Sequence, residues 1–163
     1  MGSFHENMTE YKKQLEKGTI QAAYKGLMEY LRRLRTYLYN KYPDHNVSGI
    51  YYGYMDMTYF SFIPKSLKNE KLKIAIVFLH ETFQFEVWLA GFNKQVQQEY
   101  WKLLKEGNWS KYPLVPTTRG MDSIIEHVLV ADPNFSDLNA LTDGIERETL
   151  IFIRDVEGFL SAQ

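Results

Sequence analysis

The sequence predicts an α+β domain: a mainly antiparallel sheet of four or five strands with helices packed on it, in the order α-α-β-β-β-β-α-β-α. Three observations carry that reading. Apolar residues recur at spacings of three and four near both ends of the chain, the period of a packed helix face. β-branched and aromatic residues crowd the middle, the composition of strands. Adjacent strand-like runs there are separated by two-residue turns, which join antiparallel neighbours.

Thr9 is expected to cap a first helix through Lys17, with Gly18 as its stop. Thr19 caps a longer one, in which Ile20, Tyr24, Leu27, Leu31, Leu34 and Leu38 form the stripe. Pro43 ends it by about Tyr42.

The segment "SGIYYGYMDMTYFSFIPKS" reads as a hairpin turning at Asp56-Met57. That turn sets Tyr51 opposite Phe62 and Gly53 opposite Phe60 on one face, with Tyr52 by Ser61 and Tyr54 by Tyr59 on the other. After the polar loop "PKSLKNEK", the runs "LKIAIVFLH" and "FQFEVWLAG" form a second hairpin turning at Glu81-Thr82. Its register pairs Phe78 with Phe85, Ile76 with Val87 and Ile74 with Leu89, gathering the large apolar residues on one side. The second side then holds Ala75, Val77 and Leu79 beside Gln84, Glu86 and Trp88. So apolar a second side implies a cover over part of it: a helix, another subunit or a ligand.

Asn93 caps a helix that ends near Gly107, and Val96, Tyr100, Leu103 and Leu104 share its face. A proline-containing loop leads to a fifth strand, "SIIEHVLV". Ser136 is expected to cap the last helix, whose seam runs Leu138, Leu141, Ile145, Thr149, Phe152, Val156 and Phe159 to about Leu160. No repeat or linker divides the chain, so one globular domain is expected over 8–163, with residues 1–7 a disordered leader.

"FEVWLAGFNKQVQQEYWKLL" and "DPNFSDLNALTDGIERETLIFI" resemble a small bacterial protein family of about this chain's length with no assigned function. The resemblance runs along nearly the whole chain from Met8 and implies a family-specific fold. It implies no activity and carries over no catalytic residue.

Bulk composition excludes more than it includes. With 19 basic and 20 acidic residues the net charge is −1, so nothing global attracts nucleic acid or anionic lipid. The absence of cysteine removes disulfides, thiolate catalysis and Cys-based zinc sites, and fits a cytoplasmic location. No apolar run approaches a membrane span. His80-Glu81 lacks the second histidine of H-E-x-x-H, and the four histidines, at 5, 45, 80 and 127, have no ligand spacing, so no metal or cofactor is expected. The element order suggests restriction-endonuclease-like nucleases, but Glu86 is followed by Val87 and Trp88, where an acid-x-lysine motif needs its lysine. Phosphate-binding glycine loops and a G-x-S-x-G elbow are absent.

Three functional readings stand. The first is a non-catalytic binding module, joining a second copy of itself or a small ligand, since the aromatic surplus exceeds what one core needs. The second is a small enzyme with an acid–base pocket at Glu86. There Gln84 and Trp88 form one wall, Tyr52 and Tyr54 stand near it if the two hairpins adjoin, and Arg119 supplies a cation from its loop. The third is single-stranded nucleic-acid binding by the tyrosine-rich hairpin, which the neutral charge speaks against. The bland alternative for Glu86 is a solvated strand face or an ordinary ion pair.

Overall fold

The computed structural model describes residues 2–163. The chain divides into two compact units, one up to Leu34 and one over Arg35–Gln163, and the division falls inside a helix.

The first unit holds α1 (Phe4–Glu16) and the larger part of α2 (Thr19–Lys41). α1 starts well before the expected cap at Thr9. Ser3 and Glu6 close a reciprocal capping box: the Glu6 N–H donates to the Ser3 hydroxyl (3.2 Å) and the Ser3 N–H to the Glu6 carboxylate (2.9 Å). Thr9 sits inside the helix and donates its hydroxyl to the His5 carbonyl (3.0 Å). Gly18, at φ +75°, takes the left-handed turn that ends α1. No residue of α1 is buried, whereas Met28, Tyr30, Leu31 and Leu34 of α2 are.

The second unit is built on one sheet. Its strands are β1 (Asn46–Val47), β2 (Tyr51–Tyr52), β3 (Met57–Ile63), β4 (Leu72–Leu79), β5 (Gln84–Gly91) and β6 (Ile125–Val130). They lie in the order β1-β3-β4-β5-β6, with β2 also on β3, and every pairing is antiparallel. The helices are α3 (Lys65–Asn69), α4 (Lys94–Glu106) and α5 (Leu138–Ser161). The chain is thus α+β with an antiparallel sheet, as its patterning implies. β1 and α3 are additions. The "PKSLKNEK" stretch is no plain loop, because Pro64 pre-sets the first turn of α3 and Leu67 buries there.

The β4–β5 register is the expected one: Phe78 faces Phe85, Ile76 faces Val87 and Ile74 faces Leu89. All six side chains are buried. Phe60 joins the Ile76 row from β3, and Leu141, Ile145, Phe152 and Val156 of α5 are buried with them. The first hairpin differs from expectation. Tyr51 opposes Tyr59 and Tyr52 opposes Thr58, a slip of three residues from the expected pairing. The cause is the turn. Met55 takes φ 62°, and the Asp56 carboxylate accepts the Tyr54 and Met57 N–H groups (2.9 and 2.7 Å), closing a longer loop than two residues. Because the slip is odd, it exchanges the two faces of β2.

α4 is capped by Asn93, whose side chain accepts the Val96 N–H (2.9 Å), and stops at Gly107 as expected. α5 is capped one residue later than expected, by Asp137 on the Ala140 N–H (3.1 Å); Ser136 donates instead to Asn134.

Candidate functional site

Opposed residues of neighbouring strands share a face, so the pairings place Tyr51, Tyr59, Val77, Glu86 and Val128 in one row across five strands. One row along lie Ser61, Ala75, Trp88 and Glu126; one row the other way lie Met57, Leu79 and Gln84. This is the second face of the sheet. Most of its side chains are half-exposed. Val77, at 0% exposure, and Glu86, at 7%, are the buried centre.

Glu86 is held from its own strand. The Gln84 side-chain amide donates to Oε2 (2.5 Å) and the Trp88 indole N–H to Oε1 (2.9 Å). Spacing of two residues along a strand puts all three on one side, so alternation alone builds this arrangement. A strand carboxylate this deep usually meets a lysine or arginine. Among the described residues none forms an ion pair with Glu86. Glu126, opposite Trp88, is a second acid on the face. Burial raises its carboxyl above the ordinary range, and the negative charge of Glu86 adds to the rise. Tyr59 is likewise held above the ordinary phenol range by burial, with Tyr51 and Asp122 contributing.

The expected site residues separate into two groups. Glu86, Gln84 and Trp88 are together. Tyr52, Tyr54 and Arg119 are elsewhere. Tyr52 opposes Thr58, whose row continues to Phe78 and Phe85 on the other face. Tyr54 is 95% exposed in the turn, and Arg119 is exposed in the loop before β6, its N–H on the Thr117 hydroxyl (3.2 Å). The odd register slip turns Tyr52 to the other face and puts Tyr51 into the row of Glu86, beside Tyr59, which the β3–β4 pairing holds there. Glu126 escaped the sequence reading because β5 and β6 are joined through α4 and a long loop, and no short turn fixes their register.

The matching of residues 4–160 to the family described as Domain of unknown function (DUF7000) covers nearly all of the chain just described. The chain belongs to this family. Searches of the curated proteins and of the solved structures gave no match. The matched residues take in α1, so the match begins before Met8.

In this DUF7000 domain a second carboxylate is buried in a different manner. Glu146 of α5, at 7% exposure, accepts the Tyr37 hydroxyl (2.8 Å) and the Tyr42 hydroxyl, and pairs with the Lys41 ammonium (2.8 Å). Burial alone would raise its carboxyl, but the hydrogen bonds from Lys41, Tyr42 and Tyr37 outweigh burial and hold it below the ordinary value. Tyr42 is pushed up to about 12 by burial and by Glu146. A phenol so raised is a poor nucleophile or base near neutrality, so this cluster ties the end of α2 to α5. His80 makes a comparable tie, its Nε2 3.0 Å from the Thr58 hydroxyl. Among the described residues no cluster of three or more His, Asp or Glu side chains is placed to hold a metal ion, and no helix is long and apolar enough to cross a membrane.

Proposed function

We propose that this domain is a non-catalytic binding module, and that the second face of its sheet docks a partner presenting a cationic group on an apolar stem. The observation that carries the reading is the setting of Glu86: nearly buried, bonded only by an amide and an indole, and without a cation among the described residues. A buried carboxylate without a counter-charge is unfavourable by itself, and an incoming guanidinium or ammonium relieves it. Trp88 offers a ring beside the carboxylate, and Tyr51 stacks on Tyr59 in the same row (centroids 4.9 Å apart), which suits the apolar part of such a partner.

Self-association through this face has one argument against it. A second copy docked about a two-fold axis through the Glu86 row would bring acid onto acid. The acid–base enzyme reading has less support, because the tyrosines and the arginine it requires lie away from Glu86. Nucleic-acid binding has less again, since Glu86 and Glu126 would repel phosphates on the very face that carries the stacked tyrosines.

The test uses butylguanidinium, a cation on a short apolar stem, and butylurea, its neutral counterpart. Titration of the first should move the indole N–H resonance of Trp88, identified with Trp88→Phe, while the second should leave it in place. Equal responses to both compounds, or none to either, would overturn the reading. Mass measured across protein concentration separates self-association from binding of a different partner.

A further inference from the structure

β6 is the last strand on its side of the sheet and pairs only with β5 over its length. On its outer side the chain touches it at the start: Leu114 bridges Ile125, and the Val115 N–H donates to the Ile124 carbonyl (3.0 Å). From Glu126 to Val130 that outer side has no backbone hydrogen bond among the described residues. An edge of this kind is a template for another strand unless lysine, proline or a covering segment protects it. The sequence IEHVLV contains neither lysine nor proline, and Val128 is exposed.

Beside the far end of this edge lies a cavity of about 370 Å³ between β6 and the first turns of α5. Leu129, Val130 and Leu141 give it an apolar lining, and Gly144 leaves its α5 wall without a side chain. Its charged groups are three acids, Asp132, Asp137 and Glu148, against one base, Arg147, whose Nε already lies 3.5 Å from Glu148. The cavity is therefore negative as well as apolar.

We infer that the β6 edge and this cavity together form a docking site for an extended peptide segment of a partner protein, which pairs with β6 as an added strand and seats a basic side chain in the cavity. Backbone pairing supplies the attachment and the cavity supplies the selection, a division of labour typical of strand addition. The acid excess names the side chain: lysine or arginine, with an apolar stem against Leu129 and Leu141. The site uses the backbone edge of β6 and the cavity beside α5, and it does not depend on Glu86.

The probe is the blocked pentapeptide Thr-Val-Arg-Val-Thr, with two controls: the same peptide N-methylated at alternate amides, and Thr-Val-Glu-Val-Thr. Titrated into the full chain, the first should shift the amide resonances of Glu126–Val130 and of the first turns of α5. The N-methylated form, which cannot pair as a strand, and the glutamate form should each bind at least tenfold more weakly. Gly144→Leu is the matching variant. A Cβ at Gly144 meets nothing nearer than the Arg147 guanidinium at 3.9 Å, so the new side chain fills the cavity without a backbone clash. It should fold with an unchanged or higher melting temperature and lose the arginine peptide. No shifts at millimolar peptide, shifts that map to another surface, or equal binding by all three peptides would overturn the inference. So would a dimer of this chain that already pairs β6 with β6.

Discussion

Glu86 and Glu146 are equally buried carboxylates with opposite surroundings. Glu146 has a lysine and two phenols; Glu86 has an amide and an indole. The difference gives Glu146 a pH signature. Its carboxyl is held below the ordinary 4.5 in the folded state, so it contributes stability that is present above that value and lost as pH falls through its lower folded value. Glu146→Gln should lower stability at neutral pH by about 1–2 kcal/mol, a modest figure because Lys41 is half-exposed and screened. It should also flatten the acid limb of a urea-denaturation series run against pH. An unchanged acid limb would mean that Glu146 is not held as described. Glu86 was marked in the sequence by its place between Gln84 and Trp88 on a strand, whereas Glu146 was not. Glu146 follows Ile145 on the seam of α5 as an ordinary charged neighbour, and its partners lie 104 to 109 residues away.

At the scale of the elements, the two hairpins show what patterning fixes and what it leaves open. The β4–β5 register was legible because the pairing that a short turn at Glu81-Thr82 allows puts Ile74, Ile76, Phe78, Phe85, Val87 and Leu89 on the same side, and a one-residue slip divides them. The β2–β3 register was not. Tyrosines occupy both faces of that hairpin, so no pairing is penalised by burial, and its turn is set by Asp56 hydrogen bonds and a left-handed methionine, with no glycine at that left-handed position to mark it. Caps were legible where one residue type stood alone, as Asn93 does, and were misplaced where two candidates competed, as Ser136 and Asp137 do. α1 is a 13-residue helix with no buried residue, near the length at which an isolated helix is marginal. Its amides should therefore exchange with solvent far faster than those of β4, which should open only with the whole sheet; hydrogen exchange followed residue by residue checks this. Protection of α1 equal to that of β4 would show that something covers Phe4, Met8 and Tyr11.

For the whole molecule, the element order and class followed from period and composition, because helices at both ends and aromatic strands between them leave few arrangements. The site was half legible. Glu86, Gln84 and Trp88 follow from alternation along one strand, but Glu126, Tyr51 and Tyr59 depend on strand pairings that connect distant segments. The central claim is that the fold keeps Glu86 buried without a cation because a partner supplies one. Functional carboxylates of this kind are retained at the expense of stability. The most direct measurement is urea denaturation of the natural chain and of Glu86→Gln, each with and without butylguanidinium. Glutamine keeps the shape, and Gln84 can turn its amide to bond it. The variant should be more stable than the natural chain by about 1 kcal/mol in the absence of the cation. Butylguanidinium should stabilise only the natural chain. A variant that is less stable, or that gains as much from butylguanidinium as the natural chain does, would contradict the account.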